Sequence, residues 1–270
     1  MRDPLPIERG DFHRYYAYSP AALAIRECVR LSAVRRIALD APILDIGCGD
    51  GLFARLAYPD KQAWGIDINP DEVRRAQATA AYKTIICGNV CDVDFPRHFF
   101  KSAIANCSLE HVPDLDAALT NVRSALAPKG RLVLIVPTPD WTKHLLTAEV
   151  LRAVGLGAMS ARYGAELDRV FSHVHLYDDA TWTRRLELNG FKSVVVRPIF
   201  DRAAAWAFDA MLYPSALAYL TKRLSGRWIL APVLRTLTAS AAHSLVQAIA
   251  AIAPSGGGYG EYLIECEKAD

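Results

Sequence analysis

Three glycines at alternate positions follow a short apolar run and precede a helical pattern. They are Gly47, Gly49 and Gly51, and the run at 43–46 before them contains one acid, Asp45. Glycine suits such a turn because it adopts positive φ angles without strain and leaves room for a ligand beside the backbone. The helix that follows offers free N–H groups at its start. The stretch therefore predicts a strand, a tight turn and a helix that bind a nucleotide-like ligand.

The spacing of these glycines separates two classes of ligand. A dinucleotide-binding turn has the pattern G-x-G-x-x-G, whereas this turn has G-x-G-x-G with an acid two residues before the first glycine. Asp45 can hold an ammonium group, and Asp67 at the end of the next predicted strand can accept both hydroxyls of a ribose. S-adenosylmethionine presents an amino acid, a ribose and an adenine in that order. These residues favour S-adenosylmethionine over a nicotinamide dinucleotide.

Histidines in two places are candidates for a catalytic base. His111 follows the fourth predicted strand, and His173 and His175 alternate in an extended segment. Methyl transfer from a sulfonium needs alignment and, for some acceptors, a base that takes a proton. Each histidine can equally serve to order its loop. His173 and His175 have the spacing of a metal-ligand pair, but no third ligand has a suggestive spacing, so we expect no metal.

Strand and helix patterns alternate along the chain, which predicts a parallel sheet covered by helices on both faces. An irregular segment at 1–19 precedes the first helix, which is expected to begin at Pro20. The predicted strands lie at 43–46, 62–67, 84–87, 102–107, 132–136, 191–196 and 259–266.

Four segments in this order resemble the motifs of class I S-adenosylmethionine-dependent methyltransferases of the small-molecule type. The resemblance covers residues 20–136 and 177–196. It implies an α/β fold with a doubly wound, seven-stranded, mostly parallel sheet, the Rossmann-like methyltransferase fold, whose last strand is antiparallel and lies beside the sixth. It places the cofactor at the carboxyl ends of the parallel strands. The four segments are 43–51, 65–67, 88–95 and 107–136.

The resemblance also implies a set of cofactor-binding residues. The family often has Gly-Asp-Ala after the third strand, whereas this chain has Asn89 and Val90 after Gly88, and the Asn89 carbonyl can still accept a hydrogen bond from an adenine amino group. A histidine matching His111 lies at the reactive end of the cofactor in similar enzymes. The implied cofactor-binding residues are Asp45, Gly47, Cys48, Gly49, Gly51, Asp67, Ile68, Asn89, Val90 and Asn106.

Composition narrows the partners and the compartment. The 270 residues include 31 basic and 29 acidic residues, a net charge of +2, and no basic tract, so nucleic acid is not an expected partner. Six scattered cysteines without paired spacing indicate reduced thiols of a cytoplasmic protein. The first residues lack the apolar core of a signal peptide.

The segment after the fourth strand narrows the class of acceptor. Methylases that act on amino groups of adenine or glutamine have the pattern Asn/Asp-Pro-Pro-aromatic there, whereas residues 106–109 of this chain are Asn-Cys-Ser-Leu. This difference argues against those substrates.

Two segments are expected to carry the substrate information. Residues 20–200 and 256–270 form the predicted methyltransferase domain, with a lid insert at 138–176 and an apolar helical insert at 201–255 in which four basic residues occur. Residues 256–258 are expected to form a hinge or turn. The second insert predicts either a roof over an apolar acceptor pocket or peripheral contact with the inner face of a membrane, and no run is apolar enough to span one. The basic residues are Lys222, Arg223, Arg227 and Arg235.

The leading hypothesis is a methyltransferase that uses S-adenosylmethionine to methylate oxygen or carbon of a small, hydrophobic or lipid-like acceptor. The sequence leaves two alternatives open, a nicotinamide-dependent oxidoreductase and a non-catalytic S-adenosylmethionine-binding protein. The oligomeric state has no signature in the sequence.

Overall fold

The computed structural model describes residues 5–60, 62–225, 228–254 and 259–269. The strands are β1 (Ile43–Ile46), β2 (Ala63–Asp67), β3 (Thr84–Cys87), β4 (Phe100–Asn106), β5 (Leu126–Pro137), β6 (Phe191–Asp201) and β7 (Tyr259–Lys268). The α-helices are α1 (Arg9–Tyr18), α2 (Ala21–Val34), α3 (Leu52–Ala57), α4 (Pro70–Thr79), α5 (Leu115–Ala125), α6 (Leu146–Ala153), α7 (Gly157–Phe171), α8 (Asp179–Leu188), α9 (Arg202–Ser225) and α10 (Pro232–Ile252), and Leu109–His111 form a 3₁₀ turn. The predicted turn at residues 256–258 lies outside the described residues.

The seven strands form one sheet in the order β3-β2-β1-β4-β5-β7-β6. The pairs β1–β2, β1–β4, β2–β3 and β4–β5 are parallel, whereas β7 is antiparallel to β5. This arrangement confirms the predicted fold class, including an antiparallel last strand beside the sixth. The carboxyl ends of β1, β2, β3 and β4 meet at one edge of the sheet, where open α/β sheets bind ligands.

Burial on both faces explains why the central strands are continuously apolar. All four residues of β1 are buried, and the end of β5 from Leu132 to Val136 is inaccessible to solvent. Helices α5 and α8 contribute Leu119, Val122, Trp182 and other buried side chains to the same hydrophobic core. A parallel strand covered on both faces buries side chains of both parities, so it shows no polar alternation.

Contacts divide the chain into two compact units. The sheet unit comprises Ala33–Pro139, Ser172–Pro198 and Glu261–Asp270, and the helical unit comprises Met1–Ser32, Asp140–Phe171 and Ile199–Gly260. Most of both predicted inserts therefore belongs to the helical unit, as does the first helix of the chain.

The prediction that residues 1–19 are irregular was wrong, because Arg9–Tyr18 form α1. Phe12, Tyr15 and Tyr16 are spaced so that they share one face, and all three are buried. The Tyr16 hydroxyl lies 3.3 Å from Thr238 Oγ1, and the guanidinium of Arg235 lies 3.9 Å from the centre of the Tyr16 ring, so this face packs against α10. Tertiary packing rather than local propensity forms this helix.

Two strands, β5 and β6, extend furthest beyond their predicted limits. β6 continues past Pro198 to Asp201, and β5 begins at Leu126, before the predicted start at residue 132. The first part of β5 contains an irregularity, since pairing with β4 shifts from Phe100 opposite Leu126 to Ser102 opposite Arg131.

The helical unit has a polar network inside and apolar side chains outside. Buried Asp209 on α9 accepts a hydrogen bond from the backbone N–H of Thr147 at 2.6 Å and another from the hydroxyl of Tyr163. Helix α10 exposes a stripe of large apolar side chains, which we call the α10 stripe: Val233, Leu234, Leu237, Leu245 and Ile252. No helix within the described residues is both long and apolar enough to cross a membrane.

Candidate functional site

The three predicted glycines form the turn between β1 and α3, with φ angles of +71° at Gly47, +53° at Gly49 and +78° at Gly51. Gly47 has a second reason to be glycine, since a Cβ there would lie 2.3 Å from the Cβ of Ser108. The Ser108 hydroxyl in turn donates to the carbonyl of Ile46 at 2.5 Å. The loop after β4 thus packs directly on the glycine turn and fixes its path.

Asp67, at the end of β2, fastens the glycine turn to the next loop. One carboxylate oxygen accepts from the N–H of Gly49 at 2.9 Å, and the other accepts from the N–H of Asn69 at 2.8 Å. A carboxylate oxygen has two acceptor sites, so each still has one for a ligand hydroxyl. This leaves the acceptor geometry that the sequence predicted for a ribose.

A pocket of about 340 Å³ opens at this edge of the sheet. Gly47, Asp67, Ile68, Asn89, Val90 and His111 are the predicted site residues that line it. Its size falls in the usual range for small-molecule sites, about 300–1,000 Å³. The full lining is Ile46, Gly47, Ile66, Asp67, Ile68, Gly88, Asn89, Val90, Cys107, Ser108, His111, Val112 and Pro113.

One end of the pocket suits a flat aromatic ring. The side chain of Ile68 is 72% exposed there although it is apolar, whereas Val90 is buried. The Asn89 amide is held in place, since its Nδ2 donates to Asp92 at 3.0 Å and its Oδ1 accepts from the N–H of Cys91 at 3.0 Å. The side-chain oxygen of Asn89, Oδ1, keeps one acceptor site, which suits the predicted contact with an adenine amino group.

The structure places Asp45 differently from the expected ligand for an ammonium group. Its carboxylate is buried, does not line the pocket, and accepts hydrogen bonds from the hydroxyls of Tyr58 at 2.5 Å and Tyr82 at 2.6 Å. Burial first, and the charge of Asp45 second, raise the pKa of both tyrosines well above the ordinary value. Asp45 is therefore the centre of a buried cluster beneath the glycine turn.

The ring of Tyr82 also fills the space beside two glycines. A Cβ on Gly51 would lie 3.1 Å from this ring, and a Cβ on Gly65 would lie 3.3 Å from it. The thiol of Cys48 packs on Gly65 too, at 2.9 Å from the same position, and burial raises the pKa of this thiol far above its usual value. Cys48 is thus a protonated packing residue that does not line the pocket.

The imidazole of His111 belongs to a residue that lines the pocket and can take part in catalysis. Its Nδ1 lies 3.0 Å from the carbonyl oxygen of Ser172, and its Nε2 lies 3.7 Å from Oε1 of fully buried Glu110. The ring of His173 stacks on that of His111, with 5.5 Å between the ring centres and 16° between the planes. The structure therefore brings two of the three predicted histidines together.

His175 has a different role, because both of its ring nitrogens are engaged. Nδ1 lies 2.9 Å from the Tyr177 hydroxyl and Nε2 lies 2.8 Å from the carbonyl oxygen of Val112. The carbonyl of Glu110 accepts from the N–H groups of Val174 and His175, both at 3.0 Å. His175 thus joins the segment after α7 to the loop after β4 and does not line the pocket.

Three further predicted residues, Gly49, Gly51 and Asn106, do not line the pocket, although each is close in sequence to a residue that does. Sequence reasoning did not connect Glu110 to His173. It also missed Tyr58 and Tyr82, for which no local pattern signals a contact with a residue 13 or 37 positions away.

The sheet order, the antiparallel β7 and a pocket formed by the glycine turn and Asp67 are those of class I S-adenosylmethionine-dependent methyltransferases. A family described as a methyltransferase domain matches residues 14–196, more than half of the chain. The chain belongs to this family. This membership favours S-adenosylmethionine over the nicotinamide cofactor that the sequence left open.

Individual relatives agree over part of the chain. An uncharacterized methyltransferase of Mycobacterium tuberculosis is 32% identical over 96 residues, which are 34% of this chain and 49% of that protein. The ubiquinone/menaquinone biosynthesis C-methyltransferase UbiE of Burkholderia vietnamiensis is 28% identical over 107 residues, 37% of this chain and 44% of that protein. The matched stretch thus spans about half the length of these curated relatives.

A solved structure shows the same fold over nearly the whole chain. A S-adenosylmethionine-dependent methyltransferase of Thermotoga maritima superposes with a TM-score of 0.58, covering 97% of this chain and 95% of that one. The two sequences are 13% identical, so the likeness concerns the fold alone.

Proposed function

We propose that this protein is a methyltransferase that transfers the methyl group of S-adenosylmethionine to oxygen or carbon of a hydrophobic small molecule. The observation that carries the proposal is the pocket in which Asp67, bonded to the glycine turn, keeps one acceptor site on each oxygen. When bound, the cofactor supplies an electrophilic methyl group on a sulfonium. The protein supplies binding and alignment.

Several parts of the cofactor have matching groups in the pocket. Asp67 would accept the ribose hydroxyls, Ile68 and Val90 would contact the adenine, and Asn89 would accept from its amino group. The backbone of the turn at Gly47, where a Cβ has no room, would border the methionine portion. Asp45 acts indirectly, since its bonds to Tyr58 and Tyr82 hold the turn from below.

His111 is the residue proposed to act on the acceptor, since it alone of the three predicted histidines lines the pocket. The Burkholderia relative is a C-methyltransferase of ubiquinone/menaquinone biosynthesis. It suggests for this chain an acceptor ring that carries an ionisable hydroxyl. Loss of the hydroxyl proton makes both the oxygen and a conjugated ring carbon nucleophilic, so one acceptor class covers both predicted reactions.

The helical unit is proposed to supply contact with a lipid surface. The α10 stripe exposes five large apolar side chains. Between Ala210 and Pro254 the sequence contains four basic residues and no acidic residue. Exposed apolar side chains combined with positive charge favour an anionic membrane surface, where hydrophobic acceptors are concentrated.

Two measurements test the proposal. Calorimetry should detect binding of S-adenosylmethionine and S-adenosylhomocysteine to the full chain, and absence of both would overturn the proposal. Incubation of the protein with methyl-labelled cofactor and a lipid extract should then give a labelled, extractable product. Binding without any labelled product from lipid or aqueous extracts would favour the non-catalytic alternative.

A further inference from the structure

Glu110, His111 and His173 form a cluster beside the cofactor pocket, which we call the histidine cluster. One potential ligand atom from each side chain lies within 4.8 Å of the other two. Two imidazole nitrogens and one carboxylate oxygen are a ligand set typical of divalent first-row transition metals. We propose that the histidine cluster binds one such ion, Zn²⁺ or Mn²⁺, and thereby activates the acceptor hydroxyl. The role of the ion rests on the proposed function, whereas its binding does not.

The hydrogen bond between Nδ1 of His111 and the carbonyl of Ser172 leaves Nε2 able to bind a metal. A carbonyl oxygen only accepts hydrogen bonds, so the 3.0 Å contact with Ser172 requires that Nδ1 carries the proton. The neutral ring then has its lone pair on Nε2, which faces Glu110. Histidines that ligate metals commonly donate their second nitrogen to a backbone carbonyl in this way.

The distance between Nε2 of His111 and Oε1 of Glu110, 3.7 Å, is too long for a hydrogen bond. It suits two ligands of one ion. With metal–nitrogen and metal–oxygen distances of about 2.0–2.2 Å, ligand atoms at a tetrahedral angle are separated by roughly 3.3–3.5 Å. Small rotations of the side chains close the remaining difference.

Backbone hydrogen bonds hold the ligands of the cluster together although they are distant in sequence. The bonds from Val174 and His175 to the carbonyl of Glu110 fix the residue after His173 to the residue before His111. The ring of His175 adds a third link through Val112. A site on such a support is preorganised, as a metal site requires. The same contacts exclude His175 as a ligand, since neither of its nitrogens is available.

Three protein ligands leave at least one coordination position open, as in catalytic zinc sites. The open position next to the pocket fits the oxygen of an acceptor hydroxyl, whose pKa a bound divalent ion lowers. The hydroxyl proton passes to water, and the oxygen or the conjugated ring carbon forms the new bond to the methyl carbon. The sulfur recovers the electron pair of the bond that breaks. In this scheme His111 acts on the acceptor indirectly, as a ligand of the ion.

Metal binding can be measured without turnover. The purified full chain, stripped with a chelator and dialysed, should bind one equivalent of Zn²⁺ by calorimetry, and Co²⁺ should give visible absorption bands typical of nitrogen and oxygen ligands. Glu110→Gln, His111→Asn and His173→Asn should each weaken Zn²⁺ binding by at least about tenfold.

His98→Asn is the matched control, because it removes an exposed imidazole near the start of β4, at the opposite end of that strand from Ser108. His98 has a φ of +55°, a conformation that asparagine adopts readily. This variant should bind Zn²⁺ as the wild type does. Binding of S-adenosylhomocysteine by Glu110→Gln and His173→Asn should be unchanged, which shows that these variants are folded.

Failure of the inference differs from failure of the proposed function. If the wild type binds S-adenosylhomocysteine but no Zn²⁺ or Mn²⁺, or if the three ligand variants bind Zn²⁺ as tightly as His98→Asn does, the metal site is refuted and the methyltransferase proposal stands. If the chelated protein methylates its acceptor at the full rate, the activating role is refuted. Absence of cofactor binding refutes the methyltransferase proposal alone.

Discussion

The N–H of Gly49 donates to Asp67 over 2.9 Å, so the acid at the end of β2 holds the glycine turn after β1. The same carboxylate holds the following loop through the N–H of Asn69. A residue that shapes both walls of the pocket while keeping acceptor sites for a ligand has two functions. Substitutions at Asp67 should therefore affect ligand binding as well as the two loops that it holds.

Asp67→Asn should weaken binding of S-adenosylhomocysteine by about 10–100-fold, since hydrogen bonds to a charged acceptor contribute about 1.5–3 kcal/mol. The amide has only one accepting atom, so it cannot replace both carboxylate oxygens. Calorimetry measures the change. Asp71→Asn, which alters a half-exposed carboxylate at the start of α4, is the control and should bind as the wild type does. Equal affinities of the two variants would contradict the role given to Asp67.

Gly47→Ala should destabilise the protein by several kcal/mol, because the added Cβ would lie 2.3 Å from Ser108 Cβ and the backbone has positive φ. Gly49→Ala meets no atom within 4 Å, so only the positive φ acts against it, at about 1–2 kcal/mol. Denaturant unfolding of the two variants separates close approach from backbone conformation. The interpretation fails if Gly49→Ala is the less stable of the two.

Stability should fall as pH rises above about 10, the ordinary pKa of tyrosine. Tyr58 and Tyr82 have raised pKa values in the folded state because of burial and the charge of Asp45. Above pH 10 the unfolded chain loses these protons while the folded chain keeps them, so deprotonation favours unfolding.

Tyr82→Phe isolates this contribution from that of other buried groups. The variant should lose about 1–3 kcal/mol at pH 7, because Asp45 loses one donor. Its stability should fall less steeply between pH 10 and 11, with a slope smaller by up to about 1.4 kcal/mol per pH unit. Unfolding in urea at several pH values gives both numbers. Parallel curves for the two proteins would show that Tyr82 titrates normally.

The full chain should sediment with vesicles that contain anionic lipid, and less with neutral vesicles or at high salt. Leu234→Gln combined with Leu237→Gln should reduce binding by roughly tenfold or more, since each buried leucine contributes about 1.5–3 kcal/mol. Leu188→Gln alters a leucine that is 75% exposed on α8 in the sheet unit, and it is the control. A wild-type chain that stays in the supernatant at low salt would remove the membrane from the proposal.

The elements that the sequence predicted well are those with local patterns. The run before Gly47, the glycine spacing and Asp67 each lie within a few residues of the strand end that positions them, and the observed sheet order agrees. Helix α1 was missed because its buried face is formed by contact with α10, more than 200 residues away. Local propensity contains no information on that contact.

The candidate site shows the same division. His111 was predicted as a candidate base from its place after the fourth strand. It lines the pocket, and its role in catalysis stays a prediction. The ring of His173, which follows 62 residues later in the chain, stacks on that of His111. The position of His173 near Glu110 depends on hydrogen bonds from the N–H groups of residues 174 and 175 to the carbonyl of Glu110, which no spacing rule predicts. Asp45 was assigned to the ligand from its place before the glycines. Its two tyrosine partners were missed because they come from a helix end and a loop.

The ring of Tyr82 has a consequence for how this sequence can change over generations. It touches the space above Gly51 and Gly65 and donates to Asp45, so one aromatic side chain constrains three other positions. A lineage that replaces it by a small residue opens room for a side chain at either glycine and releases the acid from its partner. These four positions should therefore covary among relatives, and a pairwise signal between 45 and 82 should be stronger than that between neighbouring residues of the turn.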